Sequence, residues 1–201
     1  SVWFASELRR LDIAPLFVHG IYLLNLASPD PSLWAKSRDA LADELRRAAL
    51  IRSAGVVVHL GSVGEGGDVA TGLTRVARAV DEALEASDAA VPVVLENCAG
   101  AGQLIGATIE HLGAVIEQSR YPGHLEVCLD TAHACTYAHT IDDHAERVQA
   151  MLSYFDRPEA IAHVRWNGHL AFEPEGRLDG HLPVGDGTIP VEVHRRIKYL
   201  G

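Results

Sequence analysis

The sequence predicts an α/β protein whose strands lie parallel in one sheet. Short apolar runs alternate with longer stretches of helical periodicity along almost all of the 201 residues. The apolar runs are continuous, which is typical of strands that are covered on both faces. Repeated strand–helix units require helical crossovers between parallel strands, so two architectures fit: an open doubly wound sheet and part of a (β/α)8 barrel.

Five segments have the composition of buried strands, because Val, Leu and Ile dominate each of them. In chain order they are residues 16–19, 56–59, 92–96, 125–130 and 161–165. No linker rich in Pro, Gly or Ser separates them, so we expect one domain over residues 1–201.

The intervals between the strands carry the periodicity of amphipathic helices. Residues 32–53 place Leu41 and Leu45 on one face with charged residues between them, and either Ser32 or Asp30 can serve as the N-cap. Further helices are predicted over residues 2–11, 69–87, 106–119, 141–155 and 190–200. Residues 167–189 are irregular, and long loops in α/β domains are often functional.

The composition is that of a globular protein, with 48% hydrophobic and 22% charged residues. No apolar run approaches the ~20 residues of a membrane helix, and the N-terminus lacks a signal-peptide pattern. The formal net charge of −10 disfavours nucleic-acid binding through bulk positive charge but allows binding through metal ions or a local patch. Three cysteines without a C-x-x-C pattern favour reduced thiols and a cytoplasmic location.

Ionisable side chains stand at or near the end of every predicted strand. They are His19, His59, Glu96, Asp130 and His163, spaced by 33 to 40 residues, about one strand–helix unit. All are common metal ligands, and the carboxyl ends of parallel strands form the active-site face of such folds. A single residue of this kind usually caps or hydrogen-bonds backbone, whereas five in succession favour a cation site, because clustered carboxylates need cations to offset their repulsion.

Three more candidates extend this set. His133 follows Asp130 in a D-x-x-H segment that we expect to run from the strand into a loop. Asp179 and His181 form a D-x-H pair, in which both side chains lie on the same side of an extended chain. Eight candidate ligands exceed what one ion needs and indicate two or three metals.

A glycine motif at residues 100–106 (GAGQLIG) suggests a different interpretation, a dinucleotide-binding turn. Its spacing departs from G-x-G-x-x-G, and three residues separate it from the strand, where the fingerprint needs an immediate tight turn. We therefore expect these glycines to bring the backbone close to a phosphate or a metal.

Five segments resemble the endonuclease IV family of apurinic/apyrimidinic endonucleases. They are residues 19–29 (HGIYLLNLASP), 58–62 (VHLGS), 95–102 (LENCAGAG), 128–134 (CLDTAHA) and 177–187 (RLDGHLPVGDG). These segments occur in the family's order and spread across nearly the whole chain. The E-N-x-x-G-x-G and C-L-D-T-x-H-A blocks are specific to the family.

The resemblance implies a TIM barrel of the xylose-isomerase-like type with three zinc ions at its carboxyl-terminal face. The implied ligands are His19 and His59 for the first zinc, Glu96 as a bridge to the second, Asp130 and His163 for the second, and His133, Asp179 and His181 for the third. The implied activity is hydrolysis of the phosphodiester bond 5′ to an abasic site in duplex DNA, leaving a 3′-hydroxyl.

The same resemblance implies roles for other residues. Glu96 and Asp130 would act in catalysis through the bound zinc and a hydroxide. Tyr22 and Leu23 match the part of the family's loop that inserts into DNA at the damaged site. We expect the protein to act as a monomer.

The sequence also departs from the family pattern. Leu60 and Val63 replace a Pro and a His of the family, and the residues after His163 differ from its H-L-N-D segment. By the resemblance, the sequence holds about strands three to seven of the barrel, and the family's last zinc ligand, a glutamate of the eighth strand, has no counterpart. We therefore expect an incomplete barrel, present as a fragment.

Two alternatives stay open at this point. A sugar isomerase or epimerase on a related barrel also places His, Glu and Asp at strand ends, but around one or two ions. The additional set of His133, Asp179 and His181 distinguishes the nuclease from such an isomerase. The second alternative is an inactive fragment.

Overall fold

The computed structural model describes residues 2–99, 103–135, 161–165, 168–169 and 181–182, and the single residues 146, 150, 186 and 191. Its main sheet has five parallel strands that lie side by side in chain order. They are β1 (Phe17–His19), β2 (Gly55–Val58), β3 (Val93–Glu96), β4 (Leu125–Asp130) and β5 (Ile161–Arg165). All five predicted strands are confirmed to within one residue at each end.

Helix α1 (Val2–Arg10) precedes the first strand. The other described helices lie between successive strands: α2 (Pro31–Leu50), α3 (Val69–Ser87), α4 (Ile109–Gln118) and α5 (Thr131–Cys135), and a 3-10 turn covers Pro122–His124. None of the described helices combines the length and the apolarity needed to cross a bilayer. The helices predicted over residues 141–155 and 190–200 lie almost entirely outside the described residues, as do Gly100 and Gly102 of the glycine motif.

Helix α2 begins at Pro31 because Asp30 caps it. The Asp30 carboxylate accepts hydrogen bonds from the backbone N–H groups of Ser32 at 2.8 Å and Leu33 at 3.4 Å. Ser32 lies inside the first turn, so the choice of Ser32 as N-cap is wrong and Asp30 is the cap. The helix ends three residues earlier than predicted, and Arg52 adopts a positive φ of 58° that no helix accommodates.

Two further expectations about the elements are corrected. Helix α4 begins at Ile109 instead of residue 106, because Gly106 has a φ of 100° and Thr108 is extended. The D-x-x-H segment does not continue as a loop, because helix α5 begins directly after Asp130, the last residue of β4. The Asp130 carboxylate caps this helix by accepting hydrogen bonds from the N–H groups of Ala132 and His133.

The predicted irregular segment at residues 167–189 contains a short antiparallel ribbon. Its strands are β6 (Gly168–His169) and β7 (His181–Leu182), and His169 pairs with His181. Two-residue strands carry too little periodicity to be recognised in a sequence, because their pairing is decided by tertiary contacts.

The two faces of the main sheet are packed differently. On one face, alternate strand residues join the helices in a single large core, and they include Val56, Val58, Val93, Leu95, Leu125, Val127 and Leu129. On the other face, Phe17, Val57, Val94 and Cys128 form a separate small cluster. Gly55 allows this packing, since a Cβ atom there would lie 2.5 Å from Cγ2 of Val94.

This small cluster fixes where the functional side chains emerge. Side chains two residues apart in a strand point to the same face. Each member of the small cluster is followed, two positions later in the chain, by a candidate ligand. These ligands are His19, His59, Glu96 and Asp130. The sheet therefore carries an apolar layer with a layer of candidate ligands directly above it.

Candidate metal centre

The candidate site lies at the carboxyl ends of β1 to β4, and Glu96 is at its middle. Glu96 ends β3 and its side chain is fully buried, while His19 at the end of β1 and His59 directly after β2 are partly exposed. Nε2 of His19 lies 2.9 Å from Oε2 of Glu96, and Nε2 of His59 lies 3.3 Å from the same oxygen. Two imidazoles thus approach one carboxylate oxygen.

The hydrogen bonding of His19 requires either a second proton on its ring or a metal ion between Nε2 and Glu96. Nδ1 of His19 lies 3.0 Å from the carbonyl oxygen of Gly20, which can only accept, so Nδ1 carries the proton. In the neutral ring, Nε2 then presents a lone pair to Oε2 of Glu96 at 2.9 Å. Two lone pairs at this distance repel, so either a second proton or a metal ion must lie between them.

The electrostatics of Glu96 support this conclusion. Burial alone raises the pKa of Glu96, and the negative charge of Asp130 acts in the same direction. The hydrogen bond from His19 and the positive charges of His59 and His133 outweigh both effects and hold the pKa of Glu96 below its ordinary value. Glu96 is therefore an ionised carboxylate in a buried position, which is the form that binds a cation.

A second donor group shares Glu96 with the first. Glu96, Asp130 and His133 each offer one ligand atom, and these atoms lie within 4.8 Å of one another. All three side chains are buried. The group of His19, His59 and Glu96 meets the same criterion. Glu96 is thus the single residue common to both groups.

The donor sets fit metals such as zinc. Imidazole nitrogens and carboxylate oxygens are the ordinary ligands of zinc and of similar transition metals. Donors at about 2.0–2.1 Å from a tetrahedral zinc lie roughly 3.3 Å apart, which is the separation between Nε2 of His59 and Oε2 of Glu96. Nδ1 of His19 and Nδ1 of His133 both donate to backbone carbonyls, as metal-binding histidines usually do.

The three remaining predicted ligands fall on residues whose side chains the structure does not describe. His163 lies in β5 and pairs with Cys128 of β4, and His181 lies in β7, but their side chains are outside the description. Asp179 lies outside the described residues. The structure therefore brings together five of the eight candidates: His19, His59, Glu96, Asp130 and His133. The remaining three stay predictions.

His133 lies close to both donor groups. The resemblance assigns it to a third metal with Asp179 and His181, which stays a prediction, and its donor atom also lies within 4.8 Å of those of Glu96 and Asp130. The ring centroids of His133 and His59 are 5.5 Å apart, so the two groups adjoin each other.

A cavity of about 520 Å³ opens beside the donor groups. Its walls include Tyr22, Leu23, Leu33, His59, Leu104 and His133. Tyr22 and Leu23 are 88% and 80% exposed, and the ring of Tyr22 meets that of His59 edge-on at 6.2 Å. Exposed apolar side chains at the rim of a polar site indicate a surface that contacts a ligand.

Asn97 is a residue of this site that the sequence analysis did not single out. It is fully buried, follows Glu96 directly and makes three hydrogen bonds to Asp130 and His133. The signal available in the sequence was its place next to a strand-end ligand, in the block LENCAGAG.

Comparisons with known proteins agree with this architecture. Residues 4–199 match the protein family described as "Xylose isomerase-like TIM barrel". Proteins named "Probable endonuclease 4" from Thermoplasma acidophilum and Chloroflexus aggregans are 34% and 35% identical over 186 and 196 residues. These matches cover 92% and 96% of this chain but 63% and 68% of the relatives, so the chain spans about two thirds of their length.

Two solved structures are also similar. The crystal structure of endonuclease IV from Thermus thermophilus matches with a TM-score of 0.77 and 30% identity, covering 97% of this chain and 70% of that chain. The crystal structure of a D-tagatose 3-epimerase-like protein matches with a TM-score of 0.78 and 25% identity, covering 100% of this chain and 72% of that chain.

Proposed function

The chain belongs to the endonuclease IV family of xylose isomerase-like TIM barrels, and from this premise we propose that it is a zinc-dependent DNA repair endonuclease. Its substrate is duplex DNA that contains an abasic site, and the bond cleaved lies 5′ to that site. The observation that carries the proposal is the shared carboxylate: Glu96 belongs to both donor groups at the strand ends. Two adjacent cations held in this way suit phosphodiester hydrolysis.

The reaction is balanced by one water molecule. The water oxygen forms a bond to phosphorus, the bond from phosphorus to the 3′ oxygen breaks, and that oxygen takes up a proton to give the 3′-hydroxyl. Metal ions supply two things when bound: a nucleophile at neutral pH, through the lowered pKa of their water, and relief of the negative charge on the phosphate.

The chain's own residues position these components. His19 and His59 with Glu96 would hold one cation, and Glu96 with Asp130 and His163 would hold the next. His133 would hold the third with Asp179 and His181. The described donor atoms of this set form two groups that share Glu96. The backbone carbonyl of Gly20 fixes the ring of His19 by accepting its Nδ1–H, so the Nε2 atom points at the shared carboxylate. His163, Asp179 and His181 complete the proposed set of ligands for three zinc ions.

Tyr22 and Leu23 are the proposed contacts to the damaged base pair. Both lie on the loop after β1 and are exposed at the rim of the cavity beside His59. An abasic nucleotide lacks the base stacking that resists extrusion from the duplex, so apolar side chains can fill the space that it leaves. We also propose that the protein acts as a monomer in the cytoplasm, where the buried thiols of Cys98 and Cys128 remain reduced.

A sugar epimerase is the second candidate, and one observation favours it. The D-tagatose 3-epimerase-like structure matches the whole chain, and the cavity of about 520 Å³ lies in the size range of small-molecule sites. Epimerisation proceeds without DNA, so incubation of the protein with ketohexoses separates the two activities.

The proposed function is tested by metal analysis and strand cleavage. The purified protein is analysed for zinc by mass spectrometry and incubated with a labelled duplex that carries one tetrahydrofuran abasic analogue. We expect at least two zinc ions per chain and a single incision 5′ to the analogue. The product should be extended directly by a DNA polymerase, because its end is a 3′-hydroxyl.

Two controls make the result specific. An undamaged duplex of the same sequence should stay intact, and Glu96→Gln should abolish incision of the damaged one. Fewer than two zinc ions per chain, incision at other positions, or turnover of a ketohexose without incision would contradict the proposal.

A further inference from the structure

We propose that Asn97 is a positioning residue of the metal centre, which holds Asp130 and His133 at fixed places relative to Glu96. The inference rests on the proposed metal-dependent function. Both polar atoms of the Asn97 side chain bind the backbone of Asp130, so Asn97 is not itself proposed as a metal ligand. Its effect is transmitted through three hydrogen bonds, each of which ends on a proposed ligand residue.

The side-chain amide of Asn97 binds the backbone of Asp130 on both sides. Its Nδ2 donates to the carbonyl oxygen of Asp130 at 3.1 Å, and its Oδ1 accepts from the N–H of Asp130 at 2.6 Å. The partners fix the orientation of the amide, because an N–H needs an acceptor and a carbonyl needs a donor. Asp130 is thereby held by a pair of bonds that only an Asn amide of this length provides.

This pair of bonds extends the sheet beyond the end of its own ladder. Strands β3 and β4 pair as far as Glu96 and Cys128, and the N–H of Asn97 then donates to the Cys128 carbonyl at 3.3 Å. At Asp130, two residues beyond Cys128 in β4, the hydrogen-bond partner is the side-chain amide of Asn97 instead of a peptide group of β3. The relative position of Glu96 and Asp130 is therefore fixed after the strand β3 has ended.

The backbone of Asn97 selects the tautomer of His133. Its carbonyl oxygen lies 2.7 Å from Nδ1 of His133, and a carbonyl can only accept, so Nδ1 carries the proton. Nε2 of the neutral ring is then the atom left for a metal. His133 is 3% exposed, so water does not compete effectively for this bond.

These contacts indicate that Asn97 positions Asp130 and His133, which is more than packing in the core would require. Loss of an outer partner of a metal ligand typically costs 10–100-fold in metal affinity. For Asn97, we expect the loss to fall on the metal that Asp130 and His133 contact, and to spare the metal at His19 and His59. The affinity at Asp130 and His133 should fall while the affinity at His19 and His59 is retained.

The test compares metal binding by the full chain and two variants. Asn97→Leu removes both side-chain hydrogen bonds at similar volume, and Asn97→Asp keeps the acceptor but removes the donor to Asp130. Metal is stripped with a chelator, and Zn²⁺ and Co²⁺ are titrated against a competing indicator, with the Co²⁺ absorption spectrum recorded. Ser119→Ala is the matched control, since it removes a buried side-chain hydrogen bond to Asp81 in a different part of the chain.

We expect Asn97→Leu to weaken one zinc site by about 10–100-fold, to alter the Co²⁺ spectrum and to leave another site at the affinity of the unmodified chain. Asn97→Asp should alter the affinity of the same site, because it faces the Asp130 carbonyl with an acceptor in place of the donor. The control variant should bind both metals normally even if its melting temperature falls.

Three results overturn the inference. If the unmodified chain binds no metal, the proposed function fails together with this inference. If the unmodified chain binds two metals and both Asn97 variants bind them with equal affinity and an unchanged Co²⁺ spectrum, only the positioning role fails. If both variants lose their circular dichroism while Ser119→Ala keeps it, Asn97 is required for folding and not for positioning.

Discussion

At the scale of single residues, the protein concentrates its chemistry on one carboxylate. Glu96 is fully buried, its pKa is held below the ordinary value, and it belongs to two groups of donor atoms. A buried charge in this position is tolerated only because cations or imidazolium groups surround it. The two candidate metal sites are therefore coupled through a shared ligand.

Replacement of Glu96 tests this coupling. Glu96→Gln keeps the shape of the side chain but removes the negative charge, so both donor groups lose their common ligand. We expect the affinity for both metals to fall by more than about 100-fold, since even outer partners of ligands cost 10–100-fold. Isothermal titration of metal-free protein with Zn²⁺ measures this. Retention of either site at full affinity would show that Glu96 does not bridge them.

For Tyr22 and Leu23, the exposed residues at the rim of the cavity, we expect substitutions to reduce function without reducing stability. Tyr22 and Leu23 are 88% and 80% exposed, and substitutions at such positions usually change stability by less than about 0.5 kcal/mol. Tyr22→Ala should weaken binding of abasic duplex by about 1–3 kcal/mol, the range for stacking contacts. Electrophoretic mobility shifts and thermal melts compare it with Val69→Ala, an exposed apolar residue on α3. Equal losses in both variants would contradict a specific role.

At the scale of elements, the strand ends were predictable and several helix boundaries were not. Apolar runs of Val, Leu and Ile identify β1 to β5 because a buried parallel strand has few other compositions available. The sequence did not reveal that Asp130 caps α5, because Asp130 also ends β4 and is a candidate metal ligand. Asn97 was missed for a similar reason: its importance lies in partners 33 and 36 residues away.

The cap of α2 allows the corrected boundary to be checked by stability. Asp30 accepts from two backbone N–H groups, whereas Ser32 sits inside the helix. Asp30→Ala should destabilise the protein by about 1 kcal/mol, the usual cost of a lost N-cap, and Ser32→Ala should be nearly neutral. Urea unfolding followed by circular dichroism gives both values. A larger effect at Ser32 than at Asp30 would contradict the assignment of Asp30 as the N-cap.

The hydrogen bond between Gly106 and His111, at the start of α4, predicts that the stability of the protein falls at acidic pH. Nδ1 of His111 accepts a hydrogen bond from the N–H of Gly106 at 3.2 Å, which requires that nitrogen to be unprotonated. Burial holds the pKa of His111 below its ordinary value, although Glu110 acts in the other direction. A His pKa that is lower in the folded state contributes stability above the unfolded value of about 6.5, and this contribution is lost as pH falls below it.

His111→Asn should therefore unfold with less pH dependence than the unmodified chain. The difference in unfolding free energy between the two proteins should be constant at pH 7–8 and should shrink between about pH 6.5 and the lowered folded-state pKa. Urea titrations at a series of pH values measure it. The neighbouring substitution Glu110→Gln serves as a control, and a difference that grows on acidification would contradict the assignment.

At the scale of the whole molecule, the fold class and the family predicted from the sequence are confirmed. The five strands lie in chain order with their carboxyl ends together, and the chain matches the xylose isomerase-like TIM barrels along residues 4–199. This arrangement explains why the candidate ligands His19, His59, Glu96 and Asp130, which are 34 to 40 residues apart in sequence, meet: each strand–helix unit advances the sheet by one strand. The small inner cluster of Phe17, Val57, Val94 and Cys128 sets the depth at which they emerge.

The net charge of −10 predicts a weak dependence of DNA affinity on salt concentration. A protein that makes 6–10 phosphate contacts through Lys and Arg loses about 10³–10⁵ in affinity between 50 and 200 mM salt. This chain should depend on bound cations and on the apolar rim instead, so its affinity for abasic duplex should fall by less than about 10³ over that range. Removal of metal should weaken binding further, because the carboxylates of Glu96 and Asp130 then face the phosphate without a cation. Fluorescence anisotropy with a labelled abasic duplex, at several salt concentrations and with and without chelator, gives both quantities. A steep salt dependence that persists in the metal-free protein would instead indicate binding through a basic surface.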